Sequence, residues 1–208
     1  RRANAAIDSG AFADEVVPVT FTTRKGEVTV EHDEQPGKGR PDKIPQLRPA
    51  FARDGTITAA TSSSISDGAA AVVLSRESVA KANGQQPVAK IVAMAAHAQE
   101  PAQFTVAPIG AIEKVLDKAG WSADEVELWE VNEAFACVAM FAMRDIGIPH
   151  DKINVNGGGT ALGHPIGASG TRIIVTLLNA LKQQGKKRGV ASLCIGGGEA
   201  TAVAVELV

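Results

Sequence analysis

The chain has 208 residues, of which 45% are hydrophobic and 21% are charged, and its formal net charge is -2. This balance is typical of a folded α/β protein with a substantial core and excludes a disordered segment. The near-neutral charge argues against binding to nucleic acid or to an anionic membrane surface, and no apolar run is long enough for a membrane span, so we expect a cytoplasmic protein.

The first third of the chain predicts a helix end, a hairpin and a long loop. Residues 3–7 followed by Gly10 have the pattern of the last helical turns, and because no N-cap residue precedes them we expect further sequence upstream. Residues 16–22 and 27–31 predict two strands joined by a tight turn. Residues 33–50 contain four prolines and two glycines, which predicts a surface loop without regular structure.

The rest of the chain alternates between strand and helix patterns. Such alternation predicts a layered α/β fold with helices on both faces of a sheet. The predicted elements are strand 68–74, helix 77–83, strand 88–95, helix 108–119, strand 126–131, helix 133–146, strand 153–156, helix 168–184, and strands 189–195 and 201–208.

The first segment with chemical potential is NEAFA, at residues 132–136, between a predicted strand and a predicted helix. Open α/β sheets bind ligands at the carboxyl ends of their strands, so the amide of Asn132 is a candidate ligand-binding group. Asn132 also stands where a helix N-cap is expected, and the pattern alone favours capping.

The second segment is NVNGGGTALGHPIGASG, at residues 154–170, with six glycines and one histidine. Its spacing matches neither the dinucleotide-binding fingerprint nor a phosphate-binding loop. His164 is followed by proline and flanked by glycines, which is unlike a core histidine on a helix face. An imidazole in such a loop is suited to hold a thiol as thiolate or to move a proton, although a hydrogen bond from the ring to a turn backbone is the alternative.

The third segment is CIGGGEA, at the end of a predicted strand. A cysteine in a strand is most often a small buried apolar residue. Here Cys194 precedes three glycines whose free N–H groups are suited to bind an oxyanion. Together the three segments supply an amide, an imidazole, a thiol and backbone donors, a set that favours acyl transfer on a thioester.

These three segments resemble signature segments of the thiolase family, and the similarity extends over nearly the whole chain. Their amino-acid sequences are more similar to those of the acetyl-CoA acetyltransferases than to those of the long-chain ketoacyl thiolases. The resemblance implies an α/β, thiolase-like layered fold, with a mixed sheet covered by helices, a complete C-terminal unit and the tail of a first unit. Residues 1–65 are then expected to be a loop-domain remnant, residues 66–84 the last strand and helix of the N-terminal unit, and residues 85–208 the C-terminal domain.

The resemblance also implies roles for four residues in catalysis. His164 matches the histidine that activates the nucleophilic cysteine and helps to bind the thioester oxygen. Asn132 matches the asparagine that orients an oxyanion-hole water, and Gly196 matches a backbone donor to the acyl-enzyme oxygen. Cys194 matches the cysteine that exchanges a proton with the acetyl methyl group.

Four further residues are implied to bind coenzyme A. Ser63 matches a serine beside the pantetheine arm, and Phe51, Ala134 and Phe135 match residues that line the pantetheine tunnel. For these three, an ordinary core position is nearly as good an interpretation. No metal or cofactor is implied, since coenzyme A thioesters are the substrates.

Neither cysteine of the chain matches the family's nucleophilic cysteine, and Cys137 lies inside a predicted helix where packing explains it better. We therefore expect a thiolase C-terminal half that needs the missing N-terminal half to convert acetyl-CoA into acetoacetyl-CoA and CoA, or the reverse, and that forms a dimer or tetramer. The alternative is a non-catalytic, coenzyme A binding half that needs a complementing chain. A decarboxylating ketoacyl synthase is disfavoured, because such enzymes have a second histidine where Cys194 stands.

Overall fold

The computed structural model describes all residues from Arg1 to Val208, and its main element is a four-stranded mixed sheet. The strands are β1 (Val19–Thr23), β2 (Gly26–Val30), β3 (Ala89–Ala98), β4 (Leu128–Val131), β5 (Arg188–Cys194) and β6 (Glu199–Leu207). The helices are α1 (Arg2–Asp8), α2 (Gln35–Lys38), α3 (Glu77–Ala82), α4 (Ala107–Ala119), α5 (Ala136–Ile146), α6 (Gly159–Leu162) and α7 (Ser169–Gln183). The predicted α/β fold class is confirmed.

The order of strands in the main sheet is β3-β6-β5-β4. Strand β6 is antiparallel to both β3 and β5, whereas β4 and β5 are parallel. A parallel pair requires a crossover connection, and α5, α6 and α7 form it. This crossover places the glycine-rich segment next to the carboxyl ends of β4 and β5.

Side-chain alternation along the strands separates two apolar layers. Trp129 and Val190 belong to the larger cluster, which packs the sheet against α4 and α5. The neighbouring residues Leu128 and Ala191 face the opposite way and pack against α7 in the smaller cluster. The sheet therefore has helices on both faces, as the alternation of strand and helix patterns predicted.

Glycine ends the two helices that cover the larger cluster. Helix α4 stops at Gly120, with φ of 68°, and α5 stops at Gly147, with φ of 81°, both in the left-handed region that favours glycine. The predicted helices 108–119 and 168–184 agree with α4 and α7 within one residue at each end. The longest helix, α7, has 15 residues, and no helix combines the length and the apolar character needed to cross a membrane.

The N-terminal part forms a hairpin and short helices. Strands β1 and β2 pair in an antiparallel register from Val19 opposite Val30 to Thr23 opposite Gly26, which confirms the predicted hairpin. The expectation of no regular structure in residues 33–50 was wrong for α2 and for a 3₁₀ helix, Pro41–Gln46. Each of these has a proline at its first turn, a position that proline's fixed φ favours.

Two predicted strands are not strands in the structure. Residues 68–74 form no ladder with any other segment of the chain, and Val73 is 95% exposed. Their apolar pattern is that of a buried strand, but a strand also requires a pairing partner. Residues 153–156 make a single bridge, between Ile153 and Trp129, because Asn154 has a φ of 46° and cannot continue an extended chain.

Candidate functional site

Two candidate residues, Asn132 and Cys194, lie where the neighbouring strands β4 and β5 end. Asn132 directly follows β4, and its backbone N–H donates a hydrogen bond of 3.0 Å to the carbonyl oxygen of Ser192 in β5. Cys194 is the last residue of β5. Because the two strands are parallel, Asn132 and Cys194 both lie at the carboxyl ends of the strands, where α/β proteins bind ligands.

The side chain of Asn132 is buried without a hydrogen-bond partner. The residue is 1% exposed, and neither Oδ1 nor Nδ2 has a partner in the protein. The interpretation as a helix cap was wrong: the backbone of Asn132 pairs with β5, so α5 begins only at Ala136, with Phe135 as its N-cap residue. An unpaired buried amide costs about 1–3 kcal/mol, so its retention points to a bound ligand or water.

Two residues that the sequence analysis did not single out fix the position of Asn132. The side-chain amide of Asn154 accepts from the N–H of Val131 and donates to its C=O, both at 2.9 Å, as a neighbouring strand would. The carboxylate of Glu133 accepts from Nδ2 of Asn154 at 3.0 Å and from the backbone N–H of Thr160 at 3.2 Å. The only sequence signal for Asn154 is the tolerance of asparagine for positive φ before a glycine run.

The imidazole of His164 is half-buried in the connection between α6 and α7. Its backbone N–H donates to the carbonyl oxygen of Ser64 at 3.0 Å, and Nδ1 lies 2.6 Å from Oγ of Ser169. Burial lowers the pKa of His164 below its usual value of 6.5, and the positive charge of Arg172 lowers it further. The ring is therefore mainly neutral at physiological pH and is able to accept a proton.

The glycine-rich segment that carries His164 packs against Asn132 at Gly159. Gly159, in the same segment, packs so closely that a Cβ atom there would lie 3.3 Å from Oδ1 of Asn132. No hydrogen bond joins His164 to Asn132 or to Cys194. The three side chains are therefore not bonded to one another, and of the ring nitrogens of His164 only Nδ1 has a side-chain partner, Ser169.

Cys194 and Gly196 begin the turn that connects β5 to β6. Cys194 is 7% exposed, and burial raises the pKa of its thiol to about 11, so it is protonated at neutral pH. The N–H of Gly196 makes no hydrogen bond to another backbone group, and the space beside its Cα is open. The expectation of free N–H groups on all three glycines was wrong for Gly198, whose N–H donates to the carbonyl oxygen of Ile195 at 3.1 Å, whereas the N–H of Gly196 is free to donate. No group of three or more His, Cys, Asp or Glu side chains is arranged to hold a metal ion.

The four residues predicted to bind coenzyme A contact one another in two pairs, Ser63 with Ala134 and Phe51 with Phe135. Ser63 donates from its backbone N–H and from Oγ to the carbonyl oxygen of Ala134, at 3.1 and 3.0 Å. Phe51 packs edge-on against Phe135 with ring centroids 6.1 Å apart. Phe51 is 77% exposed, so the core interpretation is wrong for it, whereas Ala134 and Phe135 are half-buried against the larger cluster. Phe104, which was not predicted, also packs against Phe135.

A buried carboxyl group, that of Glu130, lies on the face of β4 opposite to Trp129. Glu130 is 2% exposed, its Oε1 has no hydrogen-bond partner, and its Oε2 is 3.7 Å from the guanidinium of Arg172. Burial raises the pKa of Glu130 to about 8, the charge of Arg172 opposes this rise, and the nearby Glu133 and Glu15 add to it. Glu130 is therefore mainly protonated at neutral pH, and its contact with Arg172 is not a full ion pair.

We expect Glu130→Gln to flatten the dependence of stability on pH. The folded protein keeps the carboxyl group of Glu130 protonated up to a pKa of about 8, whereas the unfolded chain loses this proton at the usual pKa of 4.5. The contribution of the proton to stability is therefore complete below pH 4.5 and is lost as pH rises through about 8. The variant cannot ionise, so at about pH 8.5 its free energy of unfolding should exceed that of the wild type by about 3–5 kcal/mol, one pKa unit being worth about 1.4 kcal/mol.

Urea unfolding at low and high pH measures this difference, with Glu113→Gln on the exposed face of α4 as the control. The control should leave the pH dependence unchanged. Parallel stability curves for wild type and Glu130→Gln would contradict the prediction.

Comparison with known proteins matches one family, the thiolases, to the N-terminal and the C-terminal part of the chain. The model described as "Thiolase, C-terminal domain" matches residues 85–207, and "Thiolase, N-terminal domain" matches residues 1–78. The acetyl-CoA acetyltransferase of Yarrowia lipolytica is 50% identical over 208 residues, which are 100% of this chain and 52% of that protein. The chain spans about half the length of the curated relatives it matches.

Solved structures agree with this finding. The crystal structure of the Bacillus anthracis acetyl-CoA acetyltransferase matches with a TM-score of 0.97 and 41% identity, covering 100% of this chain and 53% of that one. The Acat5 thiolase from Ascaris suum, solved in complex with coenzyme A, matches with a TM-score of 0.89 and 38% identity over the same shares of the two chains. The predicted thiolase-like fold is confirmed.

Proposed function

Because the chain belongs to the thiolase family, we propose that the protein carrying it is an acetyl-CoA C-acetyltransferase. It condenses two molecules of acetyl-CoA into acetoacetyl-CoA and CoA, or runs the reverse thiolysis, and needs no cofactor beyond its coenzyme A substrates. The observation that carries this proposal is that an unpaired amide, Asn132, a thiol, Cys194, and a free backbone N–H, that of Gly196, all stand at the carboxyl ends of the paired strands β4 and β5.

Each of these groups has a role in the proposed carbon–carbon bond formation. Cys194, whose thiol is protonated at rest, gives its proton to the CoA thiolate that leaves as the acetyl-enzyme forms. The Cys194 thiolate then removes a proton from the methyl group of a second acetyl-CoA, and the resulting carbanion attacks the carbonyl carbon of the acetyl-enzyme. The new C–C bond forms as the C–S bond to the nucleophilic cysteine breaks, and that cysteine leaves as a thiolate. Asn132, through a water molecule, and Gly196 stabilise the negative oxygens that develop.

We assign the acyl-accepting nucleophile to neither cysteine of this sequence. Burial raises the pKa of both Cys137 and Cys194, whereas a nucleophilic cysteine requires a lowered pKa. In our proposal the part of the fold outside this sequence supplies the nucleophile, and His164 takes its proton. These 208 residues alone are then inactive. The family resemblance also supports a homo-oligomer, either a dimer or a tetramer.

The neighbourhood of Ser63 is the proposed contact with coenzyme A. Ser63, Ala134, Phe135 and Phe51 form one connected surface that combines a hydroxyl, a backbone carbonyl and two aromatic rings. An apolar surface with a few fixed polar groups suits the pantetheine arm, which has two amides on an aliphatic chain. The solved relative from Ascaris suum, which contains coenzyme A, supports this class of ligand.

Thiolysis by the full-length protein tests the proposed function. With acetoacetyl-CoA and CoA as substrates we expect production of acetyl-CoA, and we expect His164→Gln to lower kcat by about 10²–10⁴-fold because it removes the proton acceptor. His32→Gln, which changes an exposed histidine beside Glu31, should leave kcat unchanged. Binding of CoA without turnover by the full-length wild type would favour the non-catalytic alternative and overturn the proposal.

A further inference from the structure

The hydroxyl of Ser169 is fully buried beside the imidazole of His164. Ser169 is the first residue of α7 and has 0% exposure. Its Oγ lies 2.6 Å from Nδ1 of His164 and 3.0 Å from the carbonyl oxygen of Pro165. The distance to Pro165 is ordinary for a hydrogen bond and the distance to His164 is short for one, so the single hydroxyl group serves two partners.

The two contacts determine which partner donates each proton. A carbonyl oxygen only accepts, so the hydroxyl of Ser169 donates its one proton to Pro165. With the hydroxyl proton directed to the carbonyl oxygen of Pro165, which also accepts from the backbone N–H groups of Ala168 and Ser169, Oγ accepts from His164 and Nδ1 of the ring carries a proton. In a neutral imidazole only one nitrogen is protonated, which leaves Nε2 with the free lone pair.

We propose that Ser169 is a positioning residue that holds His164 in the Nδ1–H tautomer, so that Nε2 is the nitrogen that accepts the proton of the nucleophilic thiol. This inference rests on the proposed function of His164. In the step itself, the S–H bond breaks, the sulfur keeps the electron pair, and a new N–H bond forms at Nε2.

The same contacts suit the ring before and after proton transfer. An imidazolium donates from both nitrogens, so Nδ1 continues to donate to Ser169 while Nε2 holds the transferred proton. Neither the serine hydroxyl nor the carbonyl of Pro165 has to reorient. The position of Ser169 at the start of α7, against a proline carbonyl in the preceding turn, fixes this geometry through the backbone.

The tautomer of His164 can be measured directly in the full-length protein labelled with ¹⁵N-histidine. Long-range ¹H–¹⁵N correlation spectra distinguish the two tautomers, and the signals lost in His164→Gln identify this ring. We expect the Nδ1–H form in the wild type and a mixture of both forms in Ser169→Ala. In thiolysis, Ser169→Ala should lower kcat about 10-fold, the effect of losing one hydrogen bond of about 1.4 kcal/mol, with little change in KM.

Conservative variants separate positioning from folding. Ser169→Thr retains the hydroxyl, which in a helix can bond the carbonyl four residues earlier, and should restore both the tautomer and kcat. Ser169→Cys, of similar size but a weak acceptor, should resemble Ser169→Ala and serves if the alanine variant does not fold.

Thr176→Val is the matched control, since it removes a buried hydroxyl from the same helix. That hydroxyl bonds Glu15 at 3.0 Å and does not contact His164. We expect lower stability but an unchanged tautomer and kcat. An equal loss of kcat in this control, or an Nε2–H tautomer in the wild type, would overturn the positioning role. An inactive wild type with the Nδ1–H tautomer would instead count against the proposed function alone.

Discussion

Cys194→Ala should reduce the condensation of acetyl-CoA by the full-length protein by at least about 10³-fold, because it removes the group proposed to take the methyl proton. Formation of the acetyl-enzyme should continue, since that step uses a different cysteine. Condensation is followed by the appearance of acetoacetyl-CoA, and acetylation by the intact mass of the protein after exposure to acetyl-CoA.

The matched control for this prediction is Cys137→Ala. Cys137 lies in the first turn of α5, partly buried, and has no proposed role in catalysis. The control should condense acetyl-CoA at the wild-type rate. Condensation at the wild-type rate by Cys194→Ala would exclude Cys194 as the base, and loss of acetylation in that variant would indicate general damage to the site.

Gly198→Ala should lower the free energy of unfolding by about 3 kcal/mol or more. Gly198 has a φ of 100°, in the region that favours glycine, and an added Cβ would collide with the backbone carbonyl oxygen of Gln99. This collision involves backbone atoms, which cannot move aside as a flexible side chain does. Urea or thermal unfolding of the variant measures the loss.

Gly196→Ala provides the comparison within the same turn. Its φ is not positive, and nothing lies within 4 Å of the added methyl group. We expect a loss of less than about 1 kcal/mol, the ordinary range for substitutions away from special features. Equal losses in the two variants would contradict the structural distinction between these glycines.

The alternation of sequence patterns predicted most of the main sheet and its covering helices. Helix α4 was predictable because an apolar face repeats along it and Gly120 ends it. Residues 68–74 were mispredicted because an apolar run reports a preference for burial, whereas a ladder depends on a partner strand. Residues 153–156 were mispredicted because Asn154 adopts a left-handed conformation that no local pattern specifies.

The candidate site was predictable in its residues but not in its internal contacts. Motif resemblance pointed to Asn132, His164 and Cys194, and their assigned roles remain predictions. It did not identify Asn154 or Glu133, whose hydrogen bonds join segments about 20 residues apart in sequence. Such contacts depend on how the chain returns to β4, which sequence periodicity does not encode.

The amide of Asn154 has a consequence for the edge of the main sheet. An edge strand normally presents unpaired N–H and C=O groups on which another chain can form a further strand and start aggregation. At β4, the side chain of Asn154 occupies both groups of Val131, and its backbone N–H occupies the C=O of Trp129. A single asparagine thus covers these groups, and replacing its side chain would expose the N–H and C=O of Val131 to intermolecular strand pairing.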